Sequence, residues 1–176
     1  MPKSIVVGIA NIDRRRDFTF PTTIEKDKKS YPTSGSSEKF IAFLEKELQP
    51  FIEKKYKTTA SKTIIGQSLG GLLAAEILYK KPTLFSQYII ISPSLWWDNE
   101  SLLKLDPAFL NSDFHQKTKV FIGVGKEGST MENDANQLFK IVSKSKIASK
   151  FHFFEDKNHG TIFHDAVYKA FESFNH

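Results

Sequence analysis

The part of the chain that most constrains its fold is residues 62–79, where a short apolar run changes into an Ala- and Leu-rich helical pattern. Residues 66–70, at the junction, read Gly-Gln-Ser-Leu-Gly, which is a G-x-S-x-G pattern. With a strand before it and a helix after it, this pattern predicts a nucleophile elbow, a strained turn that projects the serine hydroxyl into a cleft. The alternative is a tight strand-to-helix turn that only needs small residues.

Ser68 is the candidate nucleophile of this elbow. The glycines two residues before and two residues after it should leave room for the crowded backbone of the turn. The helix that begins behind the serine directs its free N–H groups and the positive end of its dipole at the oxyanion that forms on attack. We therefore predict that the Leu69 N–H is an oxyanion donor.

A serine hydroxyl needs a base, usually a histidine that a carboxylate orients, and at such elbows the acid and then the histidine follow along the chain. His159 lies directly after the last apolar run and before the last helical pattern, so we expect it to reach the carboxyl ends of the strands. His164, in the first turn of the final helix, is the rival. His115 precedes a strand, His152 lies inside one and His176 is terminal.

The acid should come from the loop after the apolar run 119–124. Glu127 is the first carboxylate there and is our candidate. Glu132 follows in residues 129–132, Ser-Thr-Met-Glu, which predict a capping box at the start of a helix and so give Glu132 a structural role. Asp134 would lie further along that helix. A Ser-His dyad without an acid is the alternative.

Apolar runs rich in Ile, Val and Phe alternate with helical patterns along the chain. Continuous runs of this kind are typical of strands buried on both faces of a parallel sheet. The alternation predicts an α/β fold, a three-layer sandwich with a mainly parallel sheet of about five strands. The predicted strands cover residues 4–10, 62–65, 88–92, 119–124 and 151–154. The predicted helices cover about residues 40–52, with a break or kink at Pro50, then 69–80, a stretch from 129 onward, and 162–174.

Length, composition and net charge limit the domain count, the chemistry and the partners that we expect. At 176 residues we expect one domain over residues 1–176, and the absence of cysteine excludes thiol catalysis and disulfides. The net charge of +5 comes with lysines scattered over helix faces and loops, which favours a solvated surface over a nucleic-acid site. Without a membrane-length apolar run or a signal-peptide pattern, we expect a cytoplasmic protein that binds neither membrane nor nucleic acid.

Two other features are candidates for substrate contact. The three arginines of the chain stand together at residues 14–16, and we expect Arg16 or Arg14 to form a planar pair with a carboxylate. Direct substrate contact by Arg16 is the alternative. Trp96 and Trp97 follow the strand after the elbow, and we expect one to form a substrate wall and the other to pack in the core.

Together and in this order, these residues resemble an esterase family of α/β-hydrolases that contains siderophore esterases, esterase D-like enzymes, and feruloyl and acetyl-xylan esterases. The resemblance implies carboxylic ester hydrolysis through an acyl-enzyme, without a metal or cofactor. It matches Ser68 to the nucleophile and His159 to the base, and Glu127 less securely to the acid. The segments that carry it are residues 6–14, 16–19, 47–52, 66–70, 92–97, 159–160 and 163–164.

The family pattern departs at the front, because its members begin with further strands and a helix, which supply a second oxyanion amide. We expect only the Leu69 N–H here, and loss of one donor typically costs about 3 kcal/mol of transition-state stabilisation. Such a loss weakens an esterase but does not make it inert. From the residues and the resemblance together we expect a serine carboxylesterase for small short-acyl esters. A weakly active or non-catalytic binding module is the alternative.

A parallel sheet that lacks a strand beside the elbow would expose an apolar edge. Such an edge is a template for pairing with another chain, so we expect a homodimer. The alternative is that residues 5–9 pair directly with residues 63–65 and complete the sheet within one chain.

Overall fold

A computed structural model describes residues 4–10, 13–110 and 118–174. His115 and His176, weighed above as possible bases, lie outside them. Within the described residues the sheet has four parallel strands in the order β1-β2-β3-β4. The strands are β1 Thr63–Ser68, β2 Gln87–Pro93, β3 Lys119–Gly125 and β4 Ala148–Phe154.

Helices flank this sheet on both faces. Helix α5 (Leu69–Lys80) connects β1 to β2, α6 (Ser129–Val142) connects β3 to β4, and α7 (Phe163–Phe174) follows β4. Short 3₁₀ turns, Pro82–Leu84, Ser101–Lys104 and Ala108–Leu110, lie in the connections on either side of β2. The strands β2 and β3 are buried along nearly their whole length, as their continuous apolar runs predict. The predicted α/β, three-layer fold is confirmed.

The predicted strand at residues 4–10 is absent, so residues 4–10, 13–110 and 118–174 form four strands where about five were expected. Residues 4–10 have no strand structure and stay exposed, with Val6 at 86%. An apolar run can form a strand only where a ladder partner and a covering face exist. The structure gives residues 4–10 neither, and their alternative pairing with residues 63–65 is also not formed.

The helices before β1 are α1 (Arg14–Phe18), α2 (Glu25–Ser30) and one longer stretch. That stretch comprises α3 (Ser37–Phe43), a π-helical turn (Leu44–Leu48) and α4 (Gln49–Lys55). Of the break or kink predicted at Pro50, the break is absent, because helical residues continue from Ser37 to Lys55. Pro50 is the second residue of α4, directly after the wider π turn, and a π turn relieves the bond that a proline cannot donate.

The core has two parts because side chains alternate across the sheet. From β2, Tyr88 and Ile90 pack with α5 and α6, whereas Ile89 and Ile91 pack against α7. α7 covers that second face with residues four apart. These are Ile162, just before the helix, and Ala166, Ala170 and Phe174 within it.

The loop after β2 is clamped to the segment before α2. Trp97 is 1% exposed, and its Nε1–H donates to the Phe20 carbonyl over 2.9 Å. Asp98 Oδ1 accepts from the Thr22 hydroxyl and from the Thr23 N–H, the latter over 2.6 Å. Burial alone would raise the pKa of the Asp98 carboxyl, but the hydrogen bonds it accepts hold the pKa below its ordinary value.

Asp134 on α6 is a buried carboxylate, 4% exposed, and its Oδ2 has no hydrogen-bond partner. Burial, together with the nearby charge of Glu100, raises its pKa to about 6. Below about pH 4 the group is protonated in both the folded and the unfolded chain, so it imposes no penalty. Between about pH 4 and 6 the unfolded chain ionises this group and the folded chain does not, so the free energy of unfolding falls; above pH 6 the folded chain holds an unpaired buried charge and the penalty is complete.

Asp134→Asn should therefore raise the free energy of unfolding by about 1 to 3 kcal/mol at pH 8 and change it little at pH 4. Urea denaturation at both pH values measures the difference. A gain of the same size at pH 4 and pH 8 would show that the charge of Asp134 is not the cause.

β1 is an edge strand, and Ile65 on it is 40% exposed. The homodimer expected from the sequence stays a prediction, and this edge is where it should form. Ile65→Lys should shift the association equilibrium toward monomer because it places a charge on the edge. Light scattering at micromolar concentrations measures this, with Tyr168→Lys on α7 as the control because Tyr168 is 77% exposed. A monodisperse monomer of the unsubstituted chain would contradict the prediction.

Candidate active site

Ser68 stands at the junction of β1 and α5, as the last residue of the strand and the N-cap of the helix. Its backbone has φ 60° and ψ −122°, a region that residues with a side chain rarely adopt. The G-x-S-x-G pattern predicts a strained strand-to-helix turn of this kind. The turn leaves the Leu69 N–H in the first turn of α5, where no intrahelical carbonyl can accept it.

The glycines around the elbow have unequal roles. A Cβ on Gly66 would lie 2.0 Å from the Gly70 carbonyl oxygen, so no other residue fits there. Gly70 itself has open space where a Cβ would be, so the expectation that it too relieves crowding is wrong. The second tight position is Gly71, whose Cβ would lie 2.9 Å from the Pro93 Cα.

His159 and Glu127 form a close pair. His159 Nδ1 lies 2.6 Å from Glu127 Oε2, on loops that follow β4 and β3 respectively. The Glu127 side chain is 3% exposed, whereas the His159 side chain is 47% exposed. With Nδ1–H donating to the carboxylate, the Nε2 lone pair of the imidazole is free to accept a proton.

The Glu127 carboxylate is held from several sides. Its Oε1 accepts from the Ser92 hydroxyl over 2.5 Å and from the Gly125 N–H over 3.1 Å. The backbone N–H of Glu127 donates to Glu132 Oε1 over 2.9 Å. One oxygen of Glu127 is therefore occupied by two donors, and the other is left to face the imidazole of His159.

Glu132 stabilises the start of α6, but not through the predicted capping box. The N-cap residue is Gly128 rather than Ser129, and no side chain caps the helix from that position. Glu132 instead reaches back one residue further, and its Oε1 accepts from the N–H groups of Gly128 and Glu127. The Ser129 half of the prediction is wrong.

Ser68 and His159 open into the same cavity, of about 420 Å³. They share no hydrogen bond in the described structure, in which the partner of Ser68 Oγ is Ser94 Oγ at 3.4 Å. Gln67 joins the elbow to the histidine loop, because its side-chain N–H donates to the His159 carbonyl over 2.6 Å. The cavity is lined by Ser68, Ser94, Trp96, Lys126, Glu127, Met131, Asn158 and His159.

The two tryptophans differ in burial, and one of them packs in the core as expected. Trp96 is 38% exposed and lines the cavity. Trp97 is buried and bonded to the Phe20 carbonyl, so a substrate contact by Trp97 is wrong. The neighbouring rings stand edge to face, with centroids 6.3 Å apart, so the buried indole supports the exposed one.

The Arg16 side chain is paired with the carboxylate of Asp17. Its Nε and Nη2 groups donate to the two carboxylate oxygens of Asp17 over 2.7 and 3.1 Å, and this pair raises the pKa of the guanidinium. Arg16 does not line the cavity of Ser68. The planar pair with a carboxylate is thus present, and the alternative of substrate contact by Arg16 stays a prediction.

His164, the rival base, lines a different cavity beside α7, with Phe163 and Tyr168 among its neighbours. Across residues 4–10, 13–110 and 118–174, no cluster of His, Asp and Glu is arranged to hold a metal ion. No helix in those ranges is long and apolar enough to cross a membrane.

Sequence reasoning missed Ser92, Ser94 and Gln67, which contact the candidate residues directly. Ser92 and Ser94 lie in the segment that also carries the tryptophans, and Gln67 is the variable residue before the elbow serine. Their partners are distant in sequence, so no local pattern signals these contacts. The sequence offers two hints: Gln67 stands beside the candidate nucleophile, and Ser92 and Ser94 lie in residues 92–97, which carry part of the family resemblance.

The family model described as "Putative esterase" matches residues 1–174. The chain belongs to this esterase family. In an alignment of 189 residues it is 32% identical to the ferri-bacillibactin esterase BesA of Bacillus subtilis. The alignment covers 95% of this chain and 65% of BesA. The chain is 30% identical to a siderophore enterobactin esterase of Emericella nidulans over 60% of this chain and 38% of that protein.

The fold has a solved counterpart in the crystal structure of the BES protein from Bacillus cereus. That structure matches 89% of this esterase-family chain with a TM-score of 0.80 and 33% sequence identity. The match covers 61% of the B. cereus chain. The family and the α/β-hydrolase fold inferred from sequence are therefore confirmed, and the chain spans less than two thirds of these relatives' length.

The contacts of Glu127 and Glu132 predict different responses to substitution. Glu127→Ala should lower kcat by about 100-fold or more because the imidazolium of His159 loses its carboxylate. Glu132→Ala should cost about 1 kcal/mol of folding stability and reduce kcat far less, because it removes a helix-end acceptor and only loosens the Glu127 loop. Ester hydrolysis rates and urea denaturation measure the two effects.

Glu132→Gln is the control for this pair, because it keeps an acceptor oxygen and should restore most of the stability. The opposite pattern, with rate lost in Glu132→Ala and kept in Glu127→Ala, would reverse the two roles. Unchanged rates in both variants would favour a Ser-His dyad.

Proposed function

We propose that this chain is a serine carboxylesterase that hydrolyses small short-acyl carboxylic esters through an acyl-enzyme. The observation that carries the proposal is a strained elbow serine in one cavity with a carboxylate-bound histidine. An exposed loop histidine with no catalytic role would not need a buried carboxylate 2.6 Å from its Nδ1. In this proposal Ser68 is the nucleophile, His159 the base and Glu127 the acid.

In the first half-reaction His159 Nε2 takes the proton of the Ser68 hydroxyl while Oγ attacks the ester carbonyl carbon. The carbonyl oxygen becomes an oxyanion, which accepts a hydrogen bond from the Leu69 N–H. The tetrahedral intermediate then collapses, and the alcohol leaves with the proton from His159. Glu127 lowers the energy of the imidazolium in between and keeps Nδ1–H directed toward itself.

In the second half-reaction a water molecule attacks the acyl carbon of the Ser68 ester. His159 accepts the proton of this water and returns it to Ser68 Oγ as the carboxylic acid leaves. The 47% exposure of the imidazole lets water reach its Nε2 side. Apo sites often lack the nucleophile–base hydrogen bond, which tightens only when substrate is bound.

The volume and lining residues of the cavity limit the size and chemistry of the substrate. A volume of about 420 Å³ with Trp96 and Met131 among its lining suits a small acyl group, and Lys126 adds a positive charge at the same opening.

Siderophore esters are a second candidate. They are favoured by the 32% identity to the ferri-bacillibactin esterase BesA across 95% of this chain. Comparing p-nitrophenyl acetate with ferri-bacillibactin as substrates separates the two.

The competing function is a weakly active or non-catalytic binding module. It is favoured by our assignment of a single oxyanion donor, the Leu69 N–H, among residues 4–10, 13–110 and 118–174. Loss of a single donor slows an acyl transfer by about 100- to 1,000-fold and does not abolish it. We therefore expect a slow esterase rather than an inert fold.

Ser68→Ala and His159→Ala should each lower kcat on p-nitrophenyl acetate by about 1,000-fold or more, because each removes a group that acts in every turnover. Ser143→Ala, at the exposed end of α6, is the matched control and should leave the rate unchanged. Full activity in either site variant, with contaminating esterase excluded, would refute the assignment.

A further inference from the structure

We propose that Ser92 is a positioning residue, whose hydroxyl fixes the Glu127 carboxylate so that one oxygen faces His159. The inference rests on the proposed function, in which Glu127 orients the base. It concerns a residue outside the Ser68, Glu127 and His159 set, at the end of the strand next to the elbow strand.

Ser92 is an extra residue in the sheet. In the pairing of β1 with β2, Gln67 lies opposite Ile91, but Ser68 lies opposite Pro93, so the register skips Ser92. The pairing of β2 with β3 ends one residue earlier, at Ile91. Bulges of this kind re-aim a side chain, and they are common beside active sites.

The backbone of Ser92 is strained. Its φ is 42°, in the left-handed region that glycine occupies freely and that costs other residues about 1 to 2 kcal/mol. A glycine would remove that cost but would also remove the hydroxyl. The presence of serine at this position therefore points to a use for its side chain.

That side chain has one partner, and the contact is close. Ser92 Oγ donates to Glu127 Oε1 over 2.5 Å. Ser92 is fully buried and the Glu127 side chain is 3% exposed, so water has little access to replace the hydroxyl. The Gly125 N–H binds the same oxygen over 3.1 Å, and the two donors leave Oε2 to His159 Nδ1.

Without the hydroxyl, the carboxylate keeps a single donor on Oε1 and can turn about its last torsion. The imidazole would then be held in its productive orientation for a smaller fraction of the time. Because Ser92 does not line the cavity, substrate binding should not change. The expected signature is a lower kcat with an unchanged KM.

The test is Ser92→Gly, which removes the hydroxyl and suits the left-handed backbone. We expect kcat to fall by about 10- to 100-fold, the range for a lost hydrogen bond to a charged group, with KM and the unfolding midpoint nearly unchanged. Asn99→Gly is the matched control, because Asn99 is exposed and also has a positive φ, of 53°. It should leave kcat unchanged.

A double-mutant cycle separates positioning from a general structural effect. In a Glu127→Ala background, Ser92→Gly should change kcat by less than twofold, since its partner is already gone. An equal loss in both backgrounds, or a Ser92→Gly variant within twofold of the parent, would overturn the proposal. A rise in KM that accounts for the whole loss of kcat/KM would overturn it as well.

A spectroscopic readout keeps this proposal separate from the proposed function. The Nδ1–H proton of His159 should give a far-downfield NMR resonance that disappears in Glu127→Ala. It should shift or broaden in Ser92→Gly and stay in place in Asn99→Gly, and an unmoved resonance in Ser92→Gly would overturn the positioning role. A chain with this resonance behaviour but no esterase activity would refute the proposed function alone.

Discussion

The candidate site depends on the Glu127 carboxylate, which joins the carboxyl ends of three strands. It accepts from Ser92 on β2 and Gly125 on β3, and it contacts His159 on the loop after β4. Parallel strands bring these ends to one edge of the sheet, so residues far apart in sequence meet there. A buried carboxylate needs such donors, and meeting that need also fixes the position of the half-exposed imidazole.

The fourth strand end contributes the elbow, and its strain is sustained by the packing behind it. Residues 71–79 of α5 are all buried, with Leu72 and Ile77 fully so. A helix covered on all sides cannot shift to relax the turn at Ser68 without opening the core. The bond from Gln67 to the His159 carbonyl then ties this rigid turn to the histidine loop. The strained backbone of Ser68 and the paired side chains of Glu127 and His159 thus line one cavity.

Sequence patterns predicted the parts of this arrangement that are local. The elbow, four of the strands and the loop positions of Glu127 and His159 follow from short-range periodicity and chain order. The prediction of a strand at residues 4–10 was wrong. An apolar run shows that a segment is suitable for burial, but it does not show that a partner strand is present. Trp97 failed as a substrate contact because its indole is buried and donates to the carbonyl of Phe20, which is distant in sequence. The role of Ser92 could not be predicted, although residues 92–97 carry part of the family resemblance, since that role depends on a bulge in the register.

The central claim is that Ser68 is a nucleophile activated by the His159–Glu127 pair. Labelling the intact chain with a fluorophosphonate, followed by peptide mass spectrometry, tests it most directly, because the reagent reacts with an activated serine and not with an ordinary one. The account predicts one adduct per chain, on Ser68, and far slower labelling of His159→Ala. An unlabelled chain, or an adduct on another serine such as Ser94, would contradict it.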